Sequence, residues 1–145
     1  MKITTIVLAS VLALFIQTTK ADTAFDGSWW VTLDAKSFDN PDGSKAQPWV
    51  IQFPATVKNG VFHGQYGIKG KPFWYELNGQ IEAGSATLRA DELTGEQKYN
   101  FTLSKKAPPG KGHSYSYQVV AHFDSRRGTG RSTDARTRIF NFVKN

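Results

Sequence analysis

From residue 25 onward, apolar and polar side chains alternate with a period of two in short runs, and clusters of Gly, Pro, Asn and Asp break those runs at close intervals. Period two is the repeat of a strand with one buried and one wet face, and no stretch carries the 3.6-residue period of an amphipathic helix. The pattern predicts eight strands: Phe25 to Leu33, Trp49 to Val57, Val61 to Gly67, Phe73 to Glu82, Ala86 to Asp91, Lys98 to Ser104, Tyr115 to Asp124 and Arg136 to Val143. The long connections are Asp34 to Pro48 and Ser125 to Ala135. Asn59-Gly60 is the strongest hairpin signal, because a type I′ turn needs positive φ at both central residues. Ala83-Gly84-Ser85 and Leu93 to Gln97 give further short connections, and Pro108 to Gly112 a longer loop.

Alternation also assigns faces. Phe25, Trp29, Val31 and Leu33 share one side of the first strand, Phe73, Tyr75, Leu77 and Ile81 one side of the fourth, and Tyr115, Tyr117, Val119, Ala121 and Phe123 one side of the seventh. These are the expected core positions. Trp30 and Trp74 are left on the polar faces, two large rings that would adjoin if their strands approached. Eight sequential antiparallel strands in about 120 residues predict an all-β, up-and-down barrel with room for side chains or one small ligand. A two-sheet β-sandwich is the alternative.

Ahead of the strands, Met1 to Ala21 reads as an export leader: Lys2, an apolar run from Ile6 to Ile16, and Thr19-Lys20-Ala21 as a cleavage triplet. The apolar run is about half the ~20 residues a membrane span needs. Cleavage near Ala21 would leave a single domain over 22–145, periplasmic or secreted. The chain has no cysteine, so it has no disulfide, no thiolate metal site and no cysteine on which a bacterial lipoprotein anchor would be built. Its ten Phe, five Tyr and four Trp can supply the core instead.

Charge is uneven along the chain. Residues 22–104 hold seven Lys/Arg against ten Asp/Glu, a balance of −3, whereas 105–145 hold nine against two, a balance of +7. That asymmetry suggests either a basic surface for an anionic partner or ordinary solvating charge. Arg126-Arg127-Gly128-Thr129-Gly130-Arg131 is the densest basic stretch, and as a loop it could bring Arg126, Arg127 and Arg131 to an anion. It lacks the Gly-Lys-Ser/Thr ending of a P-loop. Export disfavours nucleic acid, leaving anionic envelope polymers or lipid head groups.

Gly27-Ser28-Trp29 on the first strand resembles the Gly-x-Trp opening of the calycins, the lipocalin and avidin-type small barrels. Arg136 to Phe142 resembles their last strand, where a basic residue packs over that Trp. The resemblance implies a structural pairing of Trp29 with Arg136 or Arg138 that plugs one barrel end. Biotin binding is not implied, since no Trp follows Trp74. Thr56 to Gly67 and Arg126 to Arg131 also resemble small exported bacterial proteins, which supplies no activity.

No catalytic or metal spacing stands out. His63, His113 and His122 form no His-x-x-x-His pair and adjoin no Gly-x-Ser-x-Gly elbow. His122 and Asp124 share a strand face, so a carboxylate-oriented imidazole is one arrangement to look for. Glu76 and Glu82 also share a face but stand about 20 Å apart at ~3.4 Å per residue, too far for a glycosidase pair. Asn100-Phe101-Thr102 matches a glycosylation acceptor. Trp49, Tyr66, Tyr75, Tyr99, Tyr115 and Tyr117 offer ring-and-hydroxyl surface suited either to core packing or to a ligand. The expectation is therefore a non-enzymatic binding protein without cofactor or metal, holding a small or anionic ligand through Arg126, Arg127, Arg131, Trp30, Trp74, Tyr115 or Tyr117. An envelope protein-protein interaction or inhibitor module using exposed Trp30 and Trp74 is the alternative. A hydrolase-type enzyme near His122 and Asp124 is held third.

Overall fold

Asn59 and Gly60 turn with φ of 52° and 76°, the type I′ geometry expected of the sequence, and join two strands paired from Lys58↔Val61 onward. Ala83 and Gly84 repeat the device, with φ of 49° and 78°, between Glu82 and Ser85. The carboxylate of Asp26 accepts hydrogen bonds from the backbone N–H groups of Asn59 at 2.9 Å and Gly60 at 3.1 Å, tying the segment that leads into the barrel to the first hairpin.

The computed structural model describes residues 22–94 and 114–145. A 3₁₀ turn, Thr23–Phe25, precedes β1 (Gly27–Ala35), β2 (Phe38–Asp39), β3 (Lys45–Ala46), β4 (Trp49–Lys58), β5 (Val61–Tyr66), β6 (Trp74–Glu82), β7 (Ser85–Leu93), β8 (Ser114–Phe123), β9 (Arg127–Ser132) and β10 (Arg138–Lys144). Eight of them close a barrel in the order β1-β10-β9-β8-β7-β6-β5-β4, every neighbour antiparallel. The up-and-down barrel expected from the sequence is the architecture, and the sandwich is set aside. β2 and β3 form a separate two-stranded ribbon inside the long β1–β4 connection. The leader to Ala21, the strand expected at Lys98 to Ser104, the Pro108 to Gly112 loop, Tyr99, Asn100-Phe101-Thr102 and His113 lie outside the described residues.

The Ser125 to Ala135 segment, read from the sequence as a connection, contains strand β9 paired on both sides, Gly128↔Phe123 with β8 and Gly128↔Phe142 with β10. Its inward positions are Gly128, Gly130 and Ser132, so the apolar half of the alternation is missing. Large neighbours explain why. A Cβ at Gly128 would stand 2.6 Å from a ring carbon of Phe123, and one at Gly130 would stand 3.1 Å from side-chain atoms of both Ala121 and Val119. The rings of β8 and β10 occupy the lumen that β9 leaves empty.

One end of the barrel is packed solid. Phe123 is its hub, with ring centroids 4.8 Å from Phe142, 5.6 Å edge-on from Trp29, and 6.1 Å from both Phe25 and Phe62. Such tilted and edge-to-face pairs are favourable beyond their buried area. Trp29 is fully buried and donates its Nε1–H to the Phe25 carbonyl at 2.8 Å. The basic group over its ring is Lys144, 6.0 Å from the centroid, rather than Arg136 or Arg138. Antiparallel register dictates this: Trp29 faces Lys144 across the β1–β10 pair, whereas Arg138 faces Ala35, six residues further along.

Other face assignments hold, with one exception. Trp29, Val31, Leu33, Tyr75, Leu77, Ile81, Tyr117, Val119, Ala121 and Phe123 are buried, while Tyr115 is partly so. Phe73, expected in the core, is 56% exposed, because it precedes β6 with φ of 69° and breaks the strand's parity.

Candidate functional site

The other end of the barrel gathers polar groups. Arg138, at the start of β10, points into the lumen and is 0% exposed. Its Nη1 donates to Asp134 Oδ2 at 2.6 Å, and its Nη2 lies 3.6 Å from Glu92 Oε1 on β7. The guanidinium packs 4.0 Å from the ring centroid of Tyr117 and 5.4 Å from that of Tyr115. Tyr115 donates its hydroxyl hydrogen to Asp134 Oδ2 at 2.9 Å, and the Tyr75 and Tyr117 hydroxyls meet at 3.0 Å. One buried arginine thus organises two carboxylates and two phenols. It does so on the level where the aromatic core ends.

A second arginine works at the rim. Arg136 donates from Nε to the Lys36 carbonyl at 3.0 Å and from Nη2 to the Gln47 carbonyl at 2.8 Å, while its guanidinium lies 5.8 Å from the Trp49 ring centroid. Lys36 and Gln47 stand at the two legs of the β2–β3 ribbon. Arg136 therefore clasps both ends of that excursion to the β9–β10 turn, reinforced by Lys36 N–H donating to Thr137 O at 2.9 Å. The turn itself is shaped by Ser132, whose Oγ donates to Arg136 O at 2.7 Å and accepts from Arg138 N–H at 3.1 Å.

Between the clasp and the polar layer lies a cavity of about 370 Å³. Trp49, Ile51, Tyr66, Phe73, Trp74, Tyr75 and Leu93 give it an aromatic and aliphatic lining, and Gln47, Glu92, Thr94 and Arg136 contribute its polar side chains. This size and mixture suit a small, mainly apolar ligand fixed by a few polar contacts. Glu92 is 8% exposed, and burial pushes its carboxyl pKa up, with Arg138 and Arg136 pulling it back. Burial likewise raises the pKa of Tyr75 and Tyr117, and burial together with Asp134 raises that of Tyr115, so the three phenols stay protonated. Desolvation, followed by the proximity of Arg138, lowers the Arg136 pKa. A guanidinium starts so high that it keeps its proton.

The sequence-derived site residues scatter. Arg127 and Arg131 project outward from β9, and Arg126 sits in the turn before it, so no flexible anion loop forms. Trp30 is 41% exposed on β1 and faces Val143 and Pro54 across its two strand pairs. Trp74 is half-buried on β6 with Lys69 over its ring at 5.2 Å. β1 and β6 are separated by β4 and β5, so the two Trp residues form no shared surface. Tyr115 and Tyr117 stand beside Arg138 and are not among the cavity-lining residues.

His122 lies on the outer wall, its Nδ1 3.3 Å from Ser85 Oγ. Asp124 instead accepts from the backbone N–H groups of Arg126 at 2.8 Å and Arg127 at 2.7 Å, which hold its pKa down. Among the described residues no hydrogen bond joins His122 to Asp124, and no cluster of three or more His, Asp or Glu is placed to hold a metal ion.

Glu92, Asp134 and the clasping role of Arg136 were missed in the sequence. The available clue to Glu92 was parity: Leu88, Ala90 and Glu92 share a strand face, which puts a carboxylate in line with the core. No family model, curated protein or solved structure matches the chain.

Proposed function

We propose that this chain is an exported, non-enzymatic binding protein that takes a small, largely apolar ligand into the mouth of a calycin-type barrel. The carrying observation is the ring-lined cavity of about 370 Å³ set above a packed floor, with Glu92 and Arg136 as its charged contacts. Support for the calycin relationship comes from the buried Trp29 of the Gly27-Ser28-Trp29 run and the last-strand Lys144 over it. Support for export comes from the Met1 to Ala21 leader. Sequencing the amino terminus of protein recovered from the cell envelope should find Asp22 or a close neighbour.

The binding test is a fluorescence titration of the mature chain with the neutral probe N-phenyl-1-naphthylamine. Saturable binding at one probe per chain is expected, and Ile51→Trp, which fills the cavity, should abolish it while circular dichroism stays unchanged. Binding that survives a correctly folded Ile51→Trp variant would move the ligand site elsewhere and defeat the proposal.

A second reading is a protein-contact surface on the outer wall. It is favoured by the cross-strand row Pro54, Trp30, Val143 and Arg127, which joins an exposed ring to a cation. Loss of a pull-down partner from envelope extract on Trp30→Ala, but not on Ile51→Trp, would select it.

A further inference from the structure

Resting on the cavity reading above, we infer that Glu92 sets the ligand class: a neutral, ring-bearing molecule with a hydroxyl or amide N–H that donates to this carboxylate. Glu92 lines the cavity and is 92% out of solvent by exposed area, since its relative exposure is 8%. Its one cation contact is Arg138 Nη2 at 3.6 Å, beyond hydrogen-bond range. Among the described residues it accepts no hydrogen bond, because the short bond of Arg138 goes to Asp134 at 2.6 Å. A carboxylate has about four acceptor positions, and the Glu92 side chain keeps 10% of its surface open on the cavity it lines, where a donor brought by a ligand can reach it.

Charge balance decides the ligand's own charge. Arg136 and Arg138 carry two positive charges, and Glu92 and Asp134 two negative ones, so the group is neutral as it stands. An anion would face the Glu92 carboxylate. A cation would face two guanidiniums held by the fold. A neutral donor meets neither cost. The walls then select a flat apolar body, since Trp49, Tyr66 and Tyr75 surround the same space.

The test uses three probes of one shape: 2-naphthol, its methyl ether 2-methoxynaphthalene, and the anion 2-naphthoate, titrated calorimetrically at neutral pH. Wild type should bind 2-naphthol about tenfold more tightly than the ether, the worth of one charge-assisted hydrogen bond, and should not bind 2-naphthoate measurably. In Glu92→Gln the naphthol preference should shrink to about threefold, and in Glu92→Met it should vanish. Circular dichroism and the melting temperature of both variants check that the barrel is intact, and the naphthol-to-ether ratio within each protein carries the comparison. Equal binding of naphthol and ether by wild type, or a preference unchanged in Glu92→Met, overturns the inference and leaves the cavity reading standing. Absence of binding by any probe overturns both. Preference for 2-naphthoate would show that Arg136, not Glu92, selects the ligand.

Discussion

Tyr75 and Tyr117 meet hydroxyl to hydroxyl at 3.0 Å across the lumen, from strands that are not neighbours in the barrel. Both rings are almost wholly buried, and burial holds both phenols in the protonated state. Each hydroxyl is thus the other's substitute for water. Replacing Tyr117 by Phe removes that partner and leaves the Tyr75 hydroxyl buried alone, at a cost of about 1 to 3 kcal/mol. The double variant Tyr75→Phe with Tyr117→Phe should recover part of that loss. Denaturant titration of both single variants and the double completes the cycle, and additive losses would contradict the coupling.

The inward glycines of β9 give a graded expectation. Gly128→Ala sets a methyl group 2.6 Å from Phe123 and 3.0 Å from the His122 carbonyl, so a backbone atom limits relief. Gly130→Ala brings its methyl no closer than 3.1 Å to neighbouring atoms. Gly128→Ala should therefore destabilise by about 1 to 3 kcal/mol, and Gly130→Ala by clearly less. Thermal melts of the two proteins give the ranking, and a reversed order would refute the packing argument.

The Arg136 clasp predicts a local effect. Arg136→Ala frees both legs of the β2–β3 ribbon, and amide exchange over residues 36–48 should accelerate while strands β6 to β8 keep their protection. Arg136→Lys should behave like the alanine variant, because one ammonium cannot reproduce two diverging donors of a planar fork. Hydrogen-exchange mass spectrometry separates these outcomes. Full rescue by lysine would mean that charge rather than geometry holds the ribbon.

Acid stability has an assigned contributor in Asp26. Backbone N–H groups of Gly60 and Asn59 hold its folded pKa below the ordinary carboxylate value, so the folded state binds this proton less tightly than the unfolded chain. Its contribution is complete above the unfolded pKa of about 3.9 and is lost as pH falls through the folded value. Asp26→Asn should lower the melting temperature at neutral pH and flatten the loss of stability below about pH 4. A melting curve series from pH 7 to pH 2 measures both.

Strand alternation carried most of the fold, because a barrel wall is buried on one side and wet on the other, and a period of two is visible wherever the buried residue is apolar. Trp29, Leu77 and Val119 were legible for that reason. β9 was illegible because Gly128 and Gly130 give way to rings belonging to Phe123 and Phe142, so the buried face had no apolar side chain to read. The mouth was less legible still. Arg138 belonged to a correctly expected strand, yet its ion pairs with Glu92 and Asp134 depend on strand register and turn shape, and neither is written in local spacing. Proximity to Trp29 suggested itself by resemblance, and the β1–β10 register sent that role to Lys144.

The alternation Arg127-Gly128-Thr129-Gly130-Arg131 also bears on how the barrel assembles. A strand whose only inward side chain is Ser132 at one end offers little apolar attraction to its neighbours, and the arginines on its other face oppose sliding. Slipping by one residue would turn Arg127, Thr129 and Arg131 inward against the Phe123 and Phe142 rings, burying guanidiniums with no counter-charge. Those arginines make the misaligned pairing costly while making few contacts in the native one, where Arg131 donates to Thr137 Oγ1 at 3.4 Å. The least apolar wall of the barrel is thereby strictly indexed: charge outside, not bulk inside, fixes its register.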